Sequence, residues 1–358
     1  MKYLNALNKI SGIGHKKIKI LSEYFKSGEK IWSSGKDELL KSGIDEKTAL
    51  NIINERAKLD PDTEWNYLKK ENIRVSSISD DEYPELLKEI PSAPYLIYKK
   101  GNLDFNTSPM VAIVGSRKMT SYGKQVAYSL SRDLAVSGIT VVSGMALGID
   151  AIAHRGALEA GGKTIAVLGS SLDDMNIGPR ENFNLSRRIM ENGVLVSDYP
   201  LPTPAAVGTF PSRNRIMAGM TLGTVVIEAA EKSGTLITAS LALDFNREVF
   251  AVPGSIFSQT SMGANRLIRS GAKLVAGVSD ILEELNLERK KMEKSAKKII
   301  PESIEEKNII DILSSEPTHI DRIIKLAKLK TSVASSTLAI LEMKGMIRDI
   351  GGQNYILI

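Results

Sequence analysis

The sequence predicts an α/β protein. A Rossmann-like, doubly wound parallel sheet over residues 63–286 is flanked by an N-terminal helical domain of helix-hairpin-helix or SAM-like type (1–62). A basic linker (287–300) then leads to a C-terminal winged-helix domain (301–358). Three observations carry this reading. From Val111 onward, short runs that are apolar throughout alternate with helix-length segments, as strands covered on both faces by helices require. Those runs end in Gly or another small residue. The flanks break the pattern, with short helices and Gly-containing turns before it and two periodic helices and a Gly-Gly turn after it.

In chain order, residues 1–60 hold two turns, Ser11-Gly12-Ile13-Gly14-His15-Lys16-Lys17 and Lys41-Ser42-Gly43-Ile44-Asp45, each followed by residues suited to a helix start. Such hairpins can aim backbone N–H groups and lysines at a phosphate, or serve only to pack helices, and the motif leaves both open. Residues 64–110 extend the central domain with a helix and a hairpin around the turn signal Ile90-Pro91-Ser92-Ala93-Pro94. The predicted strands are Val111–Gly115, Ile139–Ser143, Thr164–Gly169, Val194–Ser197, Thr224–Ile227 and Val249–Val252. After 300, helices are predicted around 320–329 and 332–344, then two short strands about Gly351-Gly352. The recognition helix of that winged helix would begin Thr331-Ser332-Val333-Ala334-Ser335-Ser336-Thr337; with hydroxyls and few cations it suits DNA reading and protein docking equally.

Composition narrows the function. The 358 residues contain no cysteine, which excludes a disulfide framework and thiolate zinc sites. No apolar run reaches the roughly 18 residues of a membrane span, and MKYLNALNKI lacks the core of a signal peptide, so a cytoplasmic protein with no membrane partner is expected. The formal charge is +5, and the excess sits in the flanks: 12 Lys/Arg against 8 Asp/Glu in 1–60, and 13 against 10 in 286–358. Charge alone does not separate a nucleic-acid surface from an ordinary soluble one.

Ligands of open parallel sheets bind beyond the carboxyl ends of the strands, so the residues there are the candidates. They are Gly115-Ser116-Arg117, Ser143-Gly144 with Gly148, Gly169-Ser170, and Ser233-Gly234-Thr235. Small residues let a ligand approach the backbone, and helix N-termini supply N–H donors. Arg117 adds a fork matched to phosphate. Arg213, Asn214 and Arg215 start a further helix; the two arginines point about 200° apart, so one is expected at the site and the other as an anchor. Lys163 adds a cation, and Arg180 with Phe183 offers phosphate contact and base stacking, though Phe183 as a core residue remains the alternative.

Several enzyme readings fail. Gly162-Lys163-Thr164 resembles the end of a Walker A motif, but it precedes a strand and the first glycine is misplaced. No Gly-x-Gly-x-x-Gly fingerprint is present, and His15, His154 and His319 lie in three regions. Asp150 and His154, four residues apart, are expected to share an orienting hydrogen bond rather than to form a catalytic pair.

These segments resemble the DprA/Smf family of DNA-processing proteins. The carriers are Tyr83-Pro84, Ile113–Arg117, Ser143–His154, Thr164–Gly169, Phe210–Ile216, Ser233–Ala239 and Ala251–Gly254, in order over about 83–285. The resemblance implies a cytoplasmic, dimeric protein that binds single-stranded DNA and helps load RecA recombinase in natural transformation or recombination. It implies no cofactor and no enzymatic activity, phosphate contacts by Arg117 and Arg180, and a base contact by Phe183. In one place the chain departs from the family pattern: the loop after Gly169 lacks the usual Tyr before Pro and is about two residues longer. The rival reading is a Rossmann-like nucleoside-monophosphate phosphoribohydrolase or a nucleotide-binding sensor. Ser233-Gly234-Thr235 keeps the Gly-Thr of the hydrolase phosphate loop, but no carboxylate follows it; Glu228 is the acid at a strand end expected to face the site.

Overall fold

The computed structural model describes residues 1–287, 303–314, 316–344 and 346–357. The basic stretch expected as a linker, 287–300, lies outside them apart from Leu287. The chain divides into two compact units, Met1–Lys290 and Lys291–Ile358.

The larger unit opens with five short helices, Lys2–Lys9, His15–Phe25, Gly28–Ser33, Lys36–Lys41 and Glu46–Arg56. Their apolar residues recur at helical spacing. Ile18, Leu21 and Phe25 of the second helix join Leu7, Ile31, Leu39 and Ile52 in one core. The two hairpins meet: Asn51 Nδ2 donates to the Ser11 carbonyl at 2.6 Å, and Lys17 Nζ reaches Thr48 Oγ1 at 2.5 Å beside Asp45. The carboxylate of Asp45 accepts the Thr48 N–H at 2.8 Å and so closes the N-terminus of the fifth helix. Lys17 and that helix start are thereby occupied by the domain's own groups. Tyr98 joins this layer to the sheet, donating its hydroxyl to Asn5 Oδ1 at 2.9 Å.

The sheet has nine strands: β1 (Arg74–Ser77), β2 (Leu96–Gly101), β3 (Met110–Val114), β4 (Thr140–Ser143), β5 (Thr164–Val167), β6 (Gly193–Ser197), β7 (Gly223–Val226), β8 (Glu248–Ala251) and β9 (Lys273–Leu274), in the order β1-β2-β6-β5-β4-β3-β7-β8-β9. The strands β6 through β9 in this order run parallel. The pair β1–β2 is antiparallel and adds to the β6 edge; its strands are joined through a short helix, Glu85–Lys88, rather than by a tight hairpin. Every residue of β3 to β7 is buried, which accounts for their unbroken apolar runs. The chain steps outward from β3 to β6, then returns to place β7 on the other side of β3. The order reverses there, and the crevice between β3 and β7 opens at the carboxyl edge.

The smaller unit, taken by itself, has helices Ile304–Ile312, Ile320–Ala327 and Thr331–Met343 and an antiparallel sheet of β10 (Thr318–His319), β12 (Asn354–Leu357) and β11 (Ile347–Asp349). Ile309, Leu313, Ile323, Leu338, Leu341 and Ile347 form its core. Two helices were expected here, and the described residues hold three. The signal for the first was Ser303 followed by Glu306: Ser303 Oγ accepts the Glu306 N–H at 3.1 Å, a cap at the helix start.

Candidate functional site

At the β3/β7 reversal lies a pocket of about 480 Å³. Its wall is built from the loop after β3 (Gly115–Lys118), Asp150, the helix Thr209–Gly219 through Phe210, Arg213 and Asn214, and the loop after β7 through Ser233–Thr235. Each part is held locally. Ser116 Oγ accepts the Lys118 N–H at 3.1 Å, bending the loop after β3. The Thr120 side chain caps the helix Ser121–Val136 by accepting the Gly123 N–H at 3.0 Å. Gly148 sits at φ +81°, and a side chain there would run into the Ser116 and Arg117 carbonyls, so glycine is what lets the loops after β3 and β4 touch. Ser233 Oγ accepts the Thr235 N–H at 3.2 Å as the helix Thr235–Asp244 begins.

The charges divide by depth. Arg213 is buried, with Nη1 donating to the carbonyls of Gly144, at 2.7 Å, and Val167. Asp150 is buried beside it; Oδ2 accepts the Ala146 N–H at 3.4 Å. Burial pushes the Asp150 carboxyl above its usual range while Arg213 pulls it back, and burial likewise lowers the Arg213 guanidinium against the attraction of Asp150. Above them Arg117 is exposed, its guanidinium 5.1 Å from the centre of the Phe210 ring. A fixed, largely neutralised floor and an exposed cation over an aromatic ring suit a ligand that joins phosphate to a flat apolar group.

Of the residues singled out from sequence, Gly115, Ser116, Arg117, Arg213, Asn214, Ser233, Gly234 and Thr235 line this pocket. Ser143, Gly144, Gly148, Gly169 and Ser170 do not line it. Ser143 Oγ donates to the Ile113 carbonyl at 2.7 Å and Ser170 Oγ to the Asn176 carbonyl at 2.8 Å, so these hydroxyls are used internally. Gly169 lies against Thr209 and Phe210.

Arg180 and Phe183 sit in a separate cluster on the same edge. Arg180 donates to the Asp174 and Met175 carbonyls, and Arg180 and Arg187 each lie 5.2 Å from the half-buried Phe183 ring. Arg215 is the anchor of its pair, bonded to Asp198 and the Ser92 carbonyl, and does not reach the pocket.

Three expectations are corrected. Lys163 directly precedes β5, at the amino edge of the sheet, and its Nζ points at Thr107 before β3; a residue before a parallel strand cannot reach the carboxyl edge. Glu228 does not face the site, because its buried carboxylate accepts the Thr120 N–H, at 3.0 Å, and the Thr120 hydroxyl. Asp150 and His154 do not bond: His154 Nδ1 pairs with Thr164 Oγ1 at 2.7 Å and Nε2 is buried without a partner. Sequence reasoning also passed over Lys118 and the pocket roles of Phe210 and Asp150. Lys118 was signalled only by following Arg117, and Phe210 and Asp150 by opening helices at the same edge.

The family model "DNA recombination-mediator protein A" matches residues 74–286, and a DprA winged-helix model matches 293–353. Protein Smf of Synechocystis is 33% identical over 99% of this chain and 98% of its own length. The chain belongs to the DprA/Smf family. DNA processing protein DprA of Streptococcus pneumoniae is 44% identical over 58% of this chain and 73% of its own length. The crystal structure of S. pneumoniae DprA superposes on this DprA/Smf chain with TM-score 0.68 at 36% identity, covering 79% of this chain and 98% of that one. A solved structure of Helicobacter pylori DprA, described as revealing a single-stranded DNA binding mode, gives TM-score 0.54 at 30% identity over 60% of this chain and 96% of that one.

Proposed function

We propose that this DprA/Smf protein binds single-stranded DNA at the carboxyl edge of its sheet, seating a backbone phosphate in the β3/β7 pocket under Arg117. As a homodimer, without a cofactor, it presents the strand to a RecA-type recombinase. The observation that carries the reading is the exposed Arg117 stacked on Phe210, over a floor whose charges are already satisfied. The H. pylori relative described with single-stranded DNA supports it. The hydrolase reading needs an acid free to act on a substrate; Glu228 is bound to Thr120, and Asp150 accepts from the loop after β4.

The test is a titration of oligonucleotides at several salt concentrations. Single strands should bind more tightly than duplexes of the same length, with log K falling by roughly 0.7 per phosphate neutralised per decade of salt. Incubation with nucleoside monophosphates and with ATP should release neither base nor inorganic phosphate. Equal affinity for duplex and single strand, or turnover abolished by Arg117→Ala, would overturn the reading.

A further inference from the structure

Within the described residues of the larger unit, four large apolar side chains are more than four-fifths exposed: Met175 (81%), Val207 (89%), Ile256 (81%) and Phe257 (93%). They come from three different loops, after β5, β6 and β8, and all three lie on the carboxyl edge that carries the pocket. Exposed apolar side chains occur singly on any surface; their concentration on the ligand-binding edge calls for a ligand.

Phe257 is the most exposed of them and is held in place. Its own N–H donates to Ser255 Oγ at 3.3 Å, and Ser258 N–H to the Ser255 carbonyl at 3.0 Å. The loop base is fixed by the reciprocal pair between Gly254 and Asn265, at 3.1 and 2.9 Å, and by the Tyr122 hydroxyl on the Pro253 carbonyl at 2.8 Å. The ring therefore stands out from a pinned loop. The loop also borders the pocket: β8 pairs in parallel with β7, and the Gly263 N–H donates to the Ala229 carbonyl at 2.7 Å, next to the pocket residue Ala230. Residues 253–263 carry no charge, so nothing there repels a polyanion.

We propose that Phe257, with Ile256 beside it, is a stacking platform for an unpaired base of the strand whose phosphate occupies the pocket. This rests on the single-strand reading above. Every base has a flat face, so an aromatic ring beside a phosphate cradle holds single strands without reading their sequence and fails to hold duplexes, whose bases are already stacked. The exposed apolar groups come from three loops along one edge, with Ile256 and Phe257 on the same loop, an arrangement that a strand threaded along the edge would follow.

The experiment compares wild type, Phe257→Ala, Phe257→Trp and Arg117→Ala, all as full chains. Each is titrated with a labelled oligothymidylate and with an abasic strand of equal length, which keeps the phosphates and lacks the bases. Phe257→Ala should weaken thymidylate binding by roughly 5- to 150-fold, the value of one stacked base. It should leave the abasic strand unchanged, and Phe257→Trp should restore the difference. Arg117→Ala should weaken both strands. If Arg117→Ala weakens binding and Phe257→Ala does not, the platform is wrong and the pocket stands. If wild type binds no single strand, both fall. If Phe257→Ala leaves affinity intact and shifts the sedimentation coefficient without DNA, the loop is a contact between copies of the chain and the proposal is overturned.

Discussion

Arg117 and Lys163 were both candidate cations in the sequence, and the fold separates them by the length of the strands, Arg117 at the carboxyl edge and Lys163 at the amino edge. Arg117→Ala should cost about 1.5–3 kcal/mol of single-strand affinity, the value of a charged hydrogen-bonding group. Lys163→Ala, at the far edge, should change affinity by no more than about 0.5 kcal/mol; an oligonucleotide titration of both variants checks the pair together.

His154 makes a second prediction. Thr164 Oγ1 donates to the Val141 carbonyl at 2.7 Å, so His154 Nδ1 carries the proton and Nε2 is left bare. Burial, aided by the Arg213 charge, pushes this imidazole down to about 3. The unfolded imidazole takes a proton near pH 6.5 while the native one stays neutral, so the native state binds fewer protons. Stability from this group is complete above pH 6.5 and is lost as the pH falls from 6.5 toward 3. Thermal midpoints measured from pH 7.5 to 4.5 should fall more steeply for wild type than for His154→Gln.

Among the elements, the helix Ser121–Val136 shows how the site is supported from beneath. Its N-terminus is capped by Thr120, and Thr120 is held by the carboxylate of Glu228 at the end of β7. One acid thereby ties the β7 strand end to the helix that follows the Arg117 loop. Glu228→Ala removes the acceptor of the half-buried Thr120 N–H and should cost about 1 kcal/mol of stability. A shift in the denaturant midpoint measures it, and an unchanged midpoint would remove Glu228 from this role. The element types were legible: β3 to β7 are buried along their whole length and β8 beyond Glu248, and such runs without charged alternation are what strands covered on both faces show. The helix Ile304–Ile312 went unpredicted. The pair β1–β2 is joined through a helix, and its partner β6 lies nearly 100 residues further on, a separation that no local pattern encodes.

For the whole molecule, all the pocket residues lie within Met1–Lys290. Removing residues 290–358 should therefore leave single-strand affinity within about threefold of wild type, roughly 0.65 kcal/mol. Loss of most of the affinity would move the main site to the winged helix. The helices Thr235–Asp244 and Met262–Arg269 and the strand β9 leave Leu243, Met262 and Leu274 partly or largely exposed. We propose that the helices near 236–245 and the segment 264–285 bury apolar surface in a dimer, and light scattering at micromolar concentration should give twice the chain mass of 39.0 kDa.

The sequence alone determined the fold class, the edge of the sheet at which the pocket opens, and most of the backbone that lines it. Strand burial, helix caps and tight turns are local consequences of residue type, readable over a few positions. Which side chains share the pocket was decided by tertiary structure. The strand order puts β7 beside β3, 112 positions away in register, and so gathers Arg117, Asp150, Phe210 and Thr235. The same folding turned Arg215 to Asp198, gave Glu228 to Thr120 and left Lys163 at the opposite edge. The buried Glu228 and the largely buried Arg215 took the partners that desolvation required of them, while Lys163 stayed exposed, and each placement is fixed by chain topology.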